Sequence, residues 1–256
     1  MKTYSHGRST YSGARWHVRQ FRPNFVLFSK ASKPWFSEFI TWLRQQRITS
    51  VCWQWDLFWG YGRDPIPAFN CDYVFSTDGG HSNKWPGHHQ VLRQGIHLPE
   101  HQFYEPGDWK ASVAFVGRAM PYRRRLLKHL DENWQCLRVT STRCLPLNRL
   151  LSKIKIVVGD SVNVKHYWSN RIYEITGRGG FILHPETEGL NDHFNPGVHY
   201  DTFIRDDMGD LDAKIRFYLD NESERERIRR AGFEHCGSVH TYSHRVRELL
   251  QAVGQS

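Results

Sequence analysis

Residues 167–185 read YWSNRIYEITGRGGFILHP, and two structural periods meet in them. Trp168, Ile172 and Ile175 fall on one side at helical spacing. Gly177, Gly179 and Gly180 then interrupt the pattern, and the apolar run that begins at Phe181 suits a buried strand. A helix, a glycine turn and a buried strand make one step of an α/β fold in which parallel strands alternate with helices. Ser169 is placed to cap the helix, and Gly177 to end it in a left-handed conformation. Arg171 and Glu174, three residues apart, share a helix face. A carboxylate can accept hydrogen bonds from the vicinal hydroxyls of a ribose, and an arginine offers a two-pronged donor to a diphosphate, so the pair suits a nucleotide diphosphate. By spacing alone it is more readily an ordinary surface ion pair, and the glycines more readily a C-cap and tight turn.

The alternation extends in both directions. Towards the N-terminus lie the strand-like runs NFVLFS (24–29), SVCWQW (50–55) and DYVFST (72–77), with the amphipathic helix PWFSEFITWLRQQR (34–47) after the first. A second series follows: SVAFVG, the basic helix YRRRLLKHLDE, QCLRVT, a short helix near Leu145, IKIVVG, the quoted helix and FILH. Pro and Gly break the rhythm at HQFYEPGDWKA (101–111), which places a domain boundary there. Two Rossmann-like α/β domains are expected, residues 1–110 and 111–256, facing a cleft, with the first shortened. The chain ends in charged amphipathic helices, whose charge runs read as solvated faces.

Composition narrows the classes. The chain has 256 residues, 39% of them hydrophobic, enough for a sizeable core, and no internal repeat. Thirty-five Lys and Arg against 26 Asp and Glu give a net charge of +9, which favours polyanionic or phosphorylated partners. Five scattered cysteines without a C-x-x-C pair read as reduced thiols, and no run is long and apolar enough for a membrane span. The expected location is the cytoplasm, or the host cytoplasm for a viral protein. No G-x-S-x-G elbow or phosphate-binding P-loop is present, so hydrolase and NTPase readings fall away. The histidines His81, His88, His89, His97 and His101 lack the paired spacing of a zinc site, and no metal site is expected.

As a set, GDSVNVKHYWSNRIYEITGRGGFILHPETEGLNDHF (159–194), YLDNESERERIRRAGFEH (218–235) and HTYSHRVRELL (240–250) resemble the donor-binding C-terminal domain of GT-B glycosyltransferases of the group 1 or spore-maturation-protein type. CDYVFSTDGGH (71–81) and VLRQGI (91–96) resemble the less regular partner domain. The resemblance implies a sugar transferase using a nucleotide-sugar, foremost a UDP-sugar, as co-substrate, with no obligatory metal. It implies that Glu174 holds the nucleotide ribose and that Gly117 and Arg118 lie near the diphosphate. Many retaining relatives carry a further Glu eight positions before the ribose Glu; here that position is His166, which leaves the stereochemistry open.

Sugar transfer needs positive charge or helix N-termini at the leaving diphosphate and, if configuration inverts, a base near the acceptor hydroxyl. Asp78 is the candidate base, with His81 beside it and Asp56 similarly placed after a strand; Asp-Gly-Gly is also strong turn chemistry in its own right. Arg8, Arg15, Arg19 and Arg22 interleave with Tyr4, Tyr11, Trp16 and Phe21, the mixture of cations and stacking rings that a nucleic-acid groove requires. A hydroxymethylated pyrimidine in DNA, as in a modified viral genome, is therefore one acceptor expectation. Glycan, lipid and small-molecule acceptors, and a nucleic-acid-binding module that keeps the fold without the chemistry, stand beside it.

Overall fold

The computed structural model describes residues 10–29, 34–55, 70–80 and 88–254. They form two compact units, one up to Arg93 and one from Gln94 onward.

The first unit opens with helix α1 (Tyr11–Phe21), capped by Thr10, whose side chain accepts the Gly13 N–H. Strand β1 (Phe25–Ser29) leads through helix α2 (Phe36–Gln45) to β2 (Thr49–Gln54), β3 (Tyr73–Ser76) and β4 (His88–Val91), which form a parallel sheet in that order. Phe36, Phe39, Ile40, Trp42 and Leu43 of α2 pack with Phe28, Cys52 and Val74 from the sheet. Residues 11–21, part of the run of interleaved cations and rings, are helical because Val18 buries against this core and Tyr11 packs edge-on to Phe39.

In the second unit β5 (Ala111–Val116), β6 (Leu137–Val139), β7 (Ile154–Val158), β8 (Ile182–Pro185) and β9 (Asp201–Phe203) form a parallel sheet in the order β6-β5-β7-β8-β9. Helices α3 (Arg124–Trp134), α4 (Cys144–Leu151) and α5 (Arg171–Thr176) connect the first four of these strands. Helices α6 (Met208–Asp220), α7 (Glu222–Val239) and α8 (Tyr242–Ala252) follow β9. Separate apolar clusters, one around Leu151, Ile172 and Phe194 and another around Leu130, Phe181 and Ile215, explain why the strands read as continuous apolar runs.

The stretch 94–110, which the sequence reading placed with the first domain, packs in the second unit. The Ile96 N–H donates to the His240 carbonyl and the Ile96 carbonyl accepts from Tyr242 (2.7 and 2.9 Å). Phe103 lies under the guanidinium groups of Arg229 and Arg230, and Lys110 pairs with the Lys153 carbonyl. Among the described residues no helix is long and apolar enough to cross a membrane.

Candidate functional site

Strands β6 and β7 flank β5 on opposite sides, so the connections leaving β5 and β7 diverge. In an open α/β sheet such a reversal leaves a crevice beyond the carboxyl ends of the strands, where ligands bind. The chain leaves β5 at Gly117 with φ +139°, and a Cβ there would lie 2.6 Å from an Arg171 guanidinium nitrogen. Only glycine fits this close approach.

Arg171 is buried. Its Nε donates to the Val116 carbonyl (2.5 Å), its Nη1 to the Asp160 carbonyl (2.8 Å), and its guanidinium lies over the Phe115 ring at 4.9 Å. Burial, and next the neighbouring Arg123 charge, lower its pKa to about 10, which leaves it charged at neutral pH. Arg123 Nε donates to Asp160 Oδ2 (2.6 Å) and Nη1 to the Arg118 carbonyl (2.8 Å). Two arginines thus fasten the loops after β5 and β7 to each other, with Arg118 exposed on the first loop. The sequence reading paired Arg171 with Glu174; in the structure Arg171 serves backbone carbonyls.

Helix α5 starts one residue later than expected, with Asn170 at the cap, and the Ser169 hydroxyl donates to the Asp160 carbonyl (2.9 Å). Gly177 is right-handed, and the left-handed turn falls at Gly179 with φ +69°.

Glu174 lies one turn along the helix, its side chain 36% exposed. Its Oε2 accepts from Arg178 Nε (3.0 Å), four residues on. Arg178 Nη1 also reaches the Glu100 carbonyl (2.7 Å), the Cys144 carbonyl (3.2 Å) and Asn148 Oδ1 (2.7 Å). His101 Nε2 lies 3.8 Å from Glu174 Oε1, and its Nδ1 lies 2.9 Å from the His97 carbonyl. Burial, and next the Arg178 charge, lower the pKa of His101, which favours its neutral imidazole. This arrangement gives a partly exposed, oriented carboxylate whose partner Arg178 is anchored on the first turns of α4.

His166 has a left-handed backbone (φ 50°) and sits over Gly189, where a Cβ would meet its Nδ1 at 2.4 Å. Its Nε2 is 3.2 Å from Glu188 Oε1, and Lys165 Nζ is 3.0 Å from Glu188 Oε2. The Lys165 hydrogen bond holds the Glu188 carboxyl below its ordinary pKa. His166 therefore joins the loops after β7 and β8, away from the Glu174 knot in its bonding.

In the first unit Asp78 follows β3 and is fully buried, with Oδ1 accepting the Gly80 N–H (3.1 Å) while its own N–H donates to Ser76 Oγ (2.9 Å). This is the turn chemistry expected of Asp-Gly-Gly. Asp56 and His81, like Tyr4 and Arg8, lie outside the described residues. On α1, Arg15 and Arg19 lie over the Trp42 ring (4.9 and 5.8 Å), while Trp16 and Phe21 are 57% and 56% exposed. Arg22 ends the helix in a left-handed, exposed conformation. Of the crowded histidines, His88 stacks on Tyr73, whereas His97 and His101 belong to the second unit.

Arg123, Asp160 and Arg178 were missed by sequence reasoning. Arg123 stands in a run of three arginines with nothing to distinguish it, but Arg178 carried a signal in its four-residue spacing from Glu174.

A family model described as Glycosyl transferase-like matches residues 118–251. No protein of curated function matches the chain by sequence. Among solved structures, an alpha-glucosyltransferase in complex with UDP-glucose and DNA containing an abasic site is similar at TM-score 0.72 and 10% identity, over 96% of this chain and 83% of that one. Sucrose-phosphate synthase from Thermosynechococcus elongatus gives TM-score 0.66 at 13% identity, over 95% and 76%. Anabaena HepE in complex with UDP gives 0.66 at 10% identity, over 95% and 81%. These likenesses establish the GT-B fold.

Proposed function

We propose that this chain, which belongs to the glycosyl transferase-like family, moves a sugar from a UDP-sugar to an acceptor hydroxyl on DNA. The observation that carries the reading is the Glu174 carboxylate, partly exposed and held by the buried Arg178, which also reaches the first turns of α4. A carboxylate oxygen has two lone pairs, so the oxygen that Arg178 leaves open can accept from the vicinal ribose hydroxyls of the nucleotide. Arg118, on the loop after β5, supplies positive charge for the diphosphate, and Gly117 lets the backbone come close. Arg171 contributes from beneath by holding that loop in place. The similar structures that contain UDP or UDP-glucose support a uridine nucleotide.

In the reaction the acceptor oxygen bonds to the anomeric carbon as the bond from that carbon to the diphosphate oxygen breaks. The nucleoside diphosphate leaves, and the acceptor proton passes to a base, for which Asp78, buried at the turn after β3, is our candidate. Exposed Trp16 and Phe21 beside Arg19 and Arg22 support a DNA acceptor, because rings can stack on an extruded base while the cations contact phosphates. The alternative of a binding module without chemistry rests on His166, at the position where many retaining relatives carry glutamate.

Thermal-shift and turnover assays with UDP-, GDP- and ADP-sugars, with and without DNA containing 5-hydroxymethylcytosine, test the reading. Stabilisation by a UDP-sugar and sugar appearing on that DNA are expected. Stabilisation without transfer would remove the DNA acceptor and direct the search to glycan, lipid and small-molecule hydroxyls. Salt-sensitive DNA binding with no response to any nucleotide would leave the binding module.

A further inference from the structure

We propose that Arg178 is the positioning residue for Glu174, fixing the carboxylate so that one oxygen is tied to the protein and the other is presented to the ribose; the proposal rests on the donor-site reading above. A glutamate that is 36% exposed would ordinarily sample several rotamers. Arg178 would not. Its side chain is 4% exposed, and Nη1 is held by the Glu100 carbonyl, the Cys144 carbonyl and Asn148 Oδ1, none of which involves Glu174. Asn148 in turn donates through Nδ2 to the same Glu100 carbonyl (2.9 Å). The scaffold therefore sets the direction of Arg178 Nε, and Glu174 Oε2 follows it at 3.0 Å.

The other oxygen is left differently. Oε1 faces His101 Nε2 at 3.8 Å, and no described residue donates a hydrogen bond to it. His101 Nδ1 meets a carbonyl, which can only accept, so Nδ1 carries the ring proton and Nε2 of the neutral imidazole has none to give. His101 thus backs Oε1 without capping it. An exposed i,i+4 ion pair is weak and has no fixed direction; here the buried partner makes the pair directional.

The test is calorimetric binding of UDP and 2′-deoxy-UDP to the full chain, as wild type, Glu174→Gln, Arg178→Gln, Arg178→Lys and the Glu174→Gln/Arg178→Gln double variant. The wild type should prefer UDP by about tenfold or more, the range of one well-made hydrogen bond to a charged group. Glu174→Gln should lose most of that preference, Arg178→Gln should reduce it to about threefold or less, and Arg178→Lys should recover part of it. In the double variant Arg178→Gln should change the ratio no further. Equal losses for both nucleotides with the ratio intact in the two Arg178 variants would make Arg178 merely structural and overturn the proposal while sparing Glu174. If Arg178→Gln fails to fold, the Lys variant decides between these outcomes. A wild type indifferent to the 2′-hydroxyl, or a Glu174→Gln variant with undiminished UDP affinity, overturns the ribose reading and this assignment with it.

Discussion

The second unit buries a set of arginines, whereas helix α1 of the first unit leaves two exposed. In the second unit Arg123, Arg171, Arg178, Arg225, Arg229 and Arg245 are all buried, and each is bound to carbonyls or carboxylates. In the first unit Arg19 and Arg22 lie on the exposed side of α1, and Arg15 packs across Trp42. A net charge of +9 therefore does not describe one basic surface. Arg123 and Arg171 brace the loops that shape the site, Arg225, Arg229 and Arg245 brace the segments around α7 and α8, and none of these buried cations can meet a polyanion.

Breaking a brace should have the largest effect. Arg171→Met leaves the buried Val116 and Asp160 carbonyls without their donor and should cost about 3–5 kcal/mol, read as a lower urea midpoint. Asp78→Asn sharpens the contrast from the first unit. The amide retains an oxygen for the Gly80 N–H but loses the charge, and transfer should fall by about 10²–10⁴ while UDP-sugar affinity stays unchanged.

Acid should also act mainly on the second unit. Burial lowers the pKa of both His184 and His240 to about 3. Unfolded histidine titrates near 6.5, so as pH falls the unfolded chain takes up the protons first. Stability should be intact above about pH 6.5 and decline between there and about pH 3, each histidine contributing up to about 1.4 kcal/mol per pH unit. Chemical denaturation at several pH values measures the slope, and His184→Gln should remove about one proton from it. The smallest effect belongs to α1: Arg19→Ala and Arg22→Ala should each reduce the salt dependence of DNA binding by about one unit of slope. Stability should stay within about 0.5 kcal/mol.

Much of the fold was legible because the central strands are buried on both faces. IKIVVG and FILH carry unbroken apolar runs, and β7 and β8 lie where those runs fall. Strand β4 is an exposed edge of His, Gln and Val, and β9 is three residues long, so neither announces itself by period. Helix α1 depends on Val18 and Tyr11 meeting α2, a tertiary fact. In the site, Glu174 stood out by its spacing and its family pattern. The partners of Arg171 did not, since the Val116 carbonyl is 55 residues away in the chain. Which of two neighbouring charges is buried depends on how strands are ordered, and that order is not written in the local sequence.

Titration of UDP-glucose into wild type and Glu174→Ala measures whether Glu174 holds the nucleotide-sugar. Saturable binding by the wild type and a loss of about 100-fold or more in the variant are expected, with the fold retained by circular dichroism. Equal affinity in the two proteins would contradict that role.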